Sequence, residues 1–190
     1  MVKDTEILKD MPMKKNDCFL MKGSNENEPM TLYYITDMYD DKIRARSICI
    51  KDEMVQGLEY DDEYDYEIPE DAIMLPSNTY DEIKHGMNTF LKEAKSFIEK
   101  NLIEGKPRLQ IGGHYYDGYI HTITEIGVKR TKYNLFRLEP ENISPIWTGE
   151  CLVETLVRRS MSISDETYNQ VLNMYKNFLF KLRSEILTLC

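Results

Sequence analysis

The chain lacks the features that mark membrane, secreted and metal-binding proteins. No apolar run approaches the roughly 18 residues that a transmembrane helix needs, and the start, MVKDTEILKD, has neither the apolar segment nor the cleavage site of a signal peptide. The four cysteines, Cys18, Cys49, Cys151 and Cys190, are far apart and show no metal-ligand spacing. We therefore expect a cytoplasmic protein with reduced thiols, without a bound metal or cofactor and without membrane contact.

Sequence signatures of enzymes are also missing. Neither GxxxxGK[ST] nor GxGxxG occurs, so no phosphate-binding loop is predicted. The chain has three histidines, His85, His114 and His121, and nothing in the sequence brings one of them next to Cys151 to form a cysteine–histidine site. Histidines on the surface or in strands are the favoured interpretation. The sequence therefore predicts a protein without catalytic activity.

The charge of the chain is negative and unevenly distributed. The net charge is −9, and residues 1–103 hold 13 basic against 23 acidic residues, whereas the remaining residues hold 11 against 10. An acidic half repels nucleic acids and membrane surfaces and attracts basic partners. In the second half, Lys129, Arg130 and Lys132 add too little charge for strong phosphate binding. We expect a protein partner with a basic surface and no direct binding of nucleic acid.

One stretch of the first half, EYDDEYDYE at 59–67, sets six carboxylates among three tyrosines. It could be a calcium loop, an imitation of a nucleic-acid backbone, or a solvated loop that faces a partner. The calcium loop is disfavoured because Tyr66 stands where an EF-hand needs glycine for its sharp turn. The solvated loop is favoured and the imitation stays open. The candidate partner-binding residues are Glu59, Asp61, Asp62, Glu63, Asp65 and Glu67.

Trp147, the only tryptophan, is the remaining candidate partner-binding residue. It lies in ISPIWTGECLVETLV among apolar neighbours. Tryptophan is enriched at binding hot spots, so an exposed interface anchor is one interpretation. A tryptophan among apolar neighbours is more often buried in the core, and this is the favoured interpretation.

An offset of 88 residues relates the two halves of the chain. NTYDEIKHGMNTFLKEAKSFI begins at Asn78 and ETYNQVLNMYKNFLFKLRSEI begins at Glu166, and both have the apolar spacing of a helix with one buried face. The same offset, without a gap, matches apolar positions before the helices, among them Leu32 with Ile120 and Val55 with Ile143. A tandem duplication is the favoured explanation, and chance similarity of two amphipathic helices is the alternative.

Short β-rich stretches precede each predicted helix. They are residues 17–22, 31–38 and 42–50 in the first half, and 108–111, 115–126 and 132–138 in the second. Connections this short imply antiparallel pairing. The predicted fold is α+β: two tandem copies of a small antiparallel sheet or part-open SH3-like barrel, each followed by one amphipathic helix. The predicted segments are an arm at 1–15, an acidic module at 16–103 and a near-neutral module at 104–190.

Together these features favour a non-catalytic protein-binding protein, with a composition typical of a phage or mobile-element accessory protein. The alternative is an acidic nucleic-acid mimic that inhibits a host nucleic-acid-binding or defence enzyme. The sequence leaves homo-oligomerisation open.

Overall fold

The computed structural model describes residues 13–22, 29–39, 42–51, 54–57, 64–67 and 71–189. It is an α+β structure with one open antiparallel sheet of twelve strands and three helices. The strands are β1 (Cys18–Met21), β2 (Met30–Met38), β3 (Lys42–Lys51), β4 (Met54–Gly57), β5 (Tyr64–Glu67), β6 (Ile73–Leu75), β7 (Leu102–Ile103), β8 (His114–Tyr116), β9 (Ile120–Ile126), β10 (Arg130–Glu139), β11 (Asn142–Leu152) and β12 (Met161–Ile163). The helices are α1 (Thr79–Lys100), α2 (Val153–Arg159) and α3 (Asp165–Leu189).

The strand order of the sheet is β6-β1-β2-β3-β4-β11-β10-β9-β8-β12-β7, with β5 beside β3. Every pairing between neighbouring strands is antiparallel, as the short connections predict. The sheet is open and not closed into a barrel, and the predicted SH3-like barrel is not confirmed. The predicted α+β class and antiparallel pairing are confirmed.

The two halves of the sheet have the same strand order. Outward from the centre, five strands correspond: β4, β3, β2, β1, β6 in the first half and β11, β10, β9, β8, β12 in the second. The first half has β5 beside β3 in addition, and the second half ends in β7 beyond β12. Register shifts occur at Thr36 in β2 and at Thr124 in β9, two positions 88 residues apart. At the centre, Val55 of β4 pairs with Ile143 of β11, which are also 88 residues apart. The offset found in the sequence therefore connects corresponding places in the sheet.

Helices α1 and α3 cover one face of the sheet and complete a core that both halves share. The largest cluster of buried side chains takes members from both halves. The rings of Phe90 and Phe178 stack with their centroids 4.9 Å apart, and the Tyr175 hydroxyl donates a hydrogen bond of 3.1 Å to the Ile143 carbonyl. Apolar positions matched by the offset are buried on both sides: Leu32 and Ile120, Ile48 and Phe136, Ile50 and Leu138, Val55 and Ile143.

Both predicted amphipathic helices are present, and their first turns differ. Ser164 caps α3, since its Oγ accepts a 3.1 Å hydrogen bond from the backbone N–H of Thr167. Asn78 precedes α1 without a capping bond, and its side-chain amide donates to the Glu82 carboxylate at 2.6 Å. The first turn of α3 therefore has a side-chain cap, whereas Asn78 makes no such bond at the start of α1.

The segment RLQI at 108–111 is not a strand, contrary to the sequence prediction. Its backbone bonds to a side chain instead of a neighbouring strand. The Tyr115 hydroxyl accepts from the Gln110 N–H at 2.9 Å and donates to the Arg108 carbonyl at 2.8 Å. The elements that were not predicted are brief or, as in β11, interrupted by proline and glycine; they are strands β4, β5, β6, β7, β11 and β12 and the short helix α2.

Replacing either of two glycines with alanine should change the stability of the protein, in opposite directions. A Cβ at Gly86, inside α1, would lie 3.9 Å from the Phe178 ring, whereas a Cβ at Gly149 would lie 2.6 Å from the Tyr133 ring. Gly86→Ala should raise the free energy of unfolding by about 0.5–1 kcal/mol, since glycine is a poor helix former. Gly149→Ala should lower it by about 1–3 kcal/mol because the tyrosine ring must move. Denaturant unfolding measures both, and a loss of stability in Gly86→Ala would contradict the packing described for α1.

Candidate partner-binding surface

The sheet face that α1 and α3 leave uncovered carries Trp147. Phe136 of β10 points into the helix-covered core, so its neighbour Leu135, the register partner of Trp147, points the other way. Trp147 is 39% exposed, and the favoured assignment of this residue to the core is therefore wrong. The physical reason is the strand register, which places the indole on the face opposite the helices.

Arg137 holds the indole of Trp147 in place. Its guanidinium carbon lies 4.2 Å from the centroid of the Trp147 ring. A cation over an aromatic face contributes about 0.5–2 kcal/mol and restricts both side chains. The exposed ring is therefore presented in a defined orientation, which lowers the entropy that a partner must remove on binding.

A tyrosine and a glutamate extend this surface. The Tyr119 hydroxyl donates a short hydrogen bond to the Glu139 carboxylate. This bond is the main cause that raises the pKa of Tyr119, followed by burial. Glu139 is two residues from Arg137 on β10 and so shares its face. We call Tyr119, Arg137, Glu139 and Trp147 the Trp147 patch; the sequence did not indicate it because the register between strands was unknown.

The acidic stretch is only partly described. Glu59, Asp61, Asp62 and Glu63 lie outside the described residues. Asp65 and Glu67 belong to β5, where the register sets them opposite Arg44 and Lys42 of β3, and Glu67 is exposed. Because β5 pairs with β3 while β11 pairs with β10 and β4, no described pairing brings the acidic stretch beside Trp147.

The buried His121 pairs with the Asp117 carboxylate, and the charge of Asp117 also acts on Cys151, which makes this group a candidate catalytic site. The Nε2 of His121 lies 2.7 Å from Asp117 Oδ1, and this hydrogen bond is the main cause that lowers the pKa of Asp117. Burial, followed by the charges of Asp117 and Glu150, raises the pKa of the Cys151 thiol. A raised thiol pKa disfavours the nucleophilic thiolate. The arrangement therefore does not activate Cys151.

His114 is buried as well, in contrast to the exposed His85 on α1. Its ring stacks on Tyr168 of α3 at 3.9 Å, and its Nδ1 lies 2.8 Å from the Thr122 hydroxyl. Burial lowers the pKa of His114, and the exposed Asp165 carboxylate, 3.6 Å from Nε2, opposes this only in part. The two strand histidines thus contribute to the core, which no sequence pattern indicated.

Cys18 occupies in the first half the place that His114 occupies in the second. Cys18 pairs with Leu75 and Tyr34, and His114 pairs with Ile163 and Thr122, which lie 88 residues after Leu75 and Tyr34. His114 itself lies 96 residues after Cys18, so the match between β1 and β8 is one of strand pairing and does not keep the 88-residue offset. Burial raises the pKa of the Cys18 thiol to about 12. Cys18 is therefore a core residue at neutral pH rather than a reactive thiol.

Comparison with known proteins assigns neither a family nor a function to this chain. Searches against protein-family models, curated proteins and solved structures gave no match. Among the described residues, no helix is long and apolar enough to span a bilayer, and no group of three or more His, Cys, Asp or Glu side chains could hold a metal ion. The functional argument therefore depends on the Trp147 patch and the other described surfaces.

The lowered pKa of His114 predicts a loss of stability on acidification. The unfolded chain binds a proton at this histidine near its ordinary pKa of about 6.5, and the folded chain does so only at lower pH. The stabilising contribution is therefore complete above pH 6.5 and decreases as the pH falls below it. In His114→Asn the difference in unfolding free energy between pH 7.5 and pH 5.5 should shrink. His85→Gln, which alters an exposed histidine, is the control, and an equal change in both variants would contradict the assignment.

Proposed function

We propose that this chain is a non-catalytic protein-binding protein built from a duplicated module, and that the Trp147 patch contacts its partner. The observation that carries the proposal is the exposure of the only tryptophan on an open sheet face, 4.2 Å beneath an arginine. Tryptophan and arginine are the residues that most often dominate binding energy. Because the two side chains are exposed and already ordered, a partner that covers them would gain apolar contact area at a low entropy cost.

Three features support the duplication. The halves share one strand order, their register shifts are 88 residues apart, and at the centre Val55 pairs with its own counterpart Ile143. A duplicated module keeps its core in both copies while its surfaces diverge. At this offset the counterpart of Trp147 is Glu59, the first residue of the acidic stretch. Matched positions of the sequence thus carry acid in one copy and an indole in the other.

The nucleic-acid mimic remains the alternative function. It requires carboxylates that present net negative charge to a basic groove. In β5 the register sets the exposed Glu67 opposite Lys42, and cross-strand neighbours of opposite charge offset each other. We therefore rank the Trp147 patch above the acidic stretch as the contact surface.

Because the chain has one tryptophan, its fluorescence reports on the proposed contact directly. A partner captured from cells of the source organism, once purified, should shift the Trp147 emission to shorter wavelength and protect the ring from acrylamide quenching. Trp147→Ala should weaken the complex by about 2 kcal/mol, which is about 30-fold in Kd. Calorimetry measures the affinity.

Two variants serve as controls for this experiment. Val128→Ala removes an apolar side chain that is fully exposed on the turn between β9 and β10, and it should leave Kd unchanged. Replacing the six carboxylates of residues 59–67 with amides tests the mimic. Loss of binding in the amide variant, with no effect of Trp147→Ala, would reject the Trp147 patch and favour the alternative.

A further inference from the structure

A groove separates part of α1 from α3 on the helical layer. Its volume is about 590 Å³, and only residues of the two helices line it. Along α1 it extends from Glu82 to Glu93, which at 1.5 Å per residue is about 16 Å, or three helical turns. Its apolar lining consists of Ile83, Phe90, Met174, Phe178 and Leu182.

Gly86 accounts for the opening of the groove. It lines the groove at the middle of α1, where its α3 counterpart at the 88-residue offset is Met174. Alanine would fit at this position, since its Cβ would lie 3.9 Å from the Phe178 ring, and it would favour the helix. Glycine weakens a helix, yet here its lack of a side chain leaves a groove. A residue that opposes the local structure in this way is expected at a binding site.

The charges on the groove are mainly negative. Among the residues that line it, Glu82, Glu93 and Glu185 are acidic and Lys181 is basic, and His85 also lies there. The Lys181 ammonium lies 3.7 Å from the Glu185 carboxylate on the same helix. The α1 rim therefore presents the Glu82 and Glu93 carboxylates above an apolar floor, a combination that complements a basic and apolar ligand.

We propose that this groove binds a basic amphipathic helix of a partner protein. Both walls are helices, whose backbone groups are already paired, so an extended peptide would gain no main-chain hydrogen bonds here. A helix fits because apolar side chains at i, i+3, i+4 and i+7 reach the floor between Ile83 and Phe178, while lysine or arginine on its flanks meets Glu82 and Glu93. This surface is on the opposite side of the sheet from the Trp147 patch and does not depend on it.

A defined peptide tests the proposal on the full chain. The probe is a fluorescein-labelled peptide of about 18 residues, long enough to form a helix, with leucine at i, i+3, i+4 and i+7 and lysine elsewhere. The control peptide has glutamate in place of lysine. Anisotropy titrations at low and physiological salt should show binding of the lysine peptide alone, weakening as salt rises.

Three variants test whether the peptide binds in the groove. Gly86→Leu fills it and should weaken binding at least tenfold. Glu82→Gln combined with Glu93→Gln should weaken binding and flatten its salt dependence. Glu99→Gln removes an exposed α1 carboxylate outside the groove and should leave binding unchanged. Circular dichroism of each variant checks that the helices persist.

The outcomes separate this proposal from that for the Trp147 patch. No binding of the lysine peptide, equal binding of both peptides, or unchanged affinity in Gly86→Leu would each overturn the groove as a helix-binding site. Trp147→Ala should bind the peptide as tightly as the unaltered chain. A loss in that variant would also contradict the proposal, since it would place the peptide on the other face of the sheet.

Discussion

The pairing of β4 with β11 is the interaction on which the rest of the structure depends. It is short, with Val55 opposite Ile143 and Gln56 opposite Asn142, yet it joins two six-strand halves into one sheet. The helix layer reinforces it, because Phe90 and Phe178 stack above the same region and Tyr175 donates to the Ile143 carbonyl. Each half alone would leave one edge of the sheet and one side of its helix in water.

This central pairing also determines which surfaces remain for binding. One face of the continuous sheet is closed by α1 and α3, and the groove beside Gly86 is left where the helices part. On the other face, Trp147 lies on β11, which pairs with β4 at the centre of the sheet. Trp147 lies outside the two β11 residues, Asn142 and Ile143, that pair with β4. The positions of both candidate surfaces therefore depend on where the two halves of the sheet meet.

The sequence predicted the parts of the fold that depend on local pattern. The 3.6-residue periodicity located α1 and α3, and the 88-residue offset matched positions such as Leu32 and Ile120 that are buried in both halves. It could not reveal that the two sheets are continuous, because pairing between β4 and β11 is a long-range contact without a local signal. The same limit applies to Trp147: its neighbours are apolar, and only the register with Leu135 shows that it is exposed.

The central claim is that the shared sheet and core make the two halves one cooperative unit. Denaturant titration followed by amide NMR tests it most directly, since the signals of Leu32 and Ile48 report on the first half and those of Ile120 and Phe136 on the second. Coincident loss of all four signals at one denaturant concentration is the predicted result. Loss of the first-half signals at a clearly different concentration from the second-half signals would contradict the account.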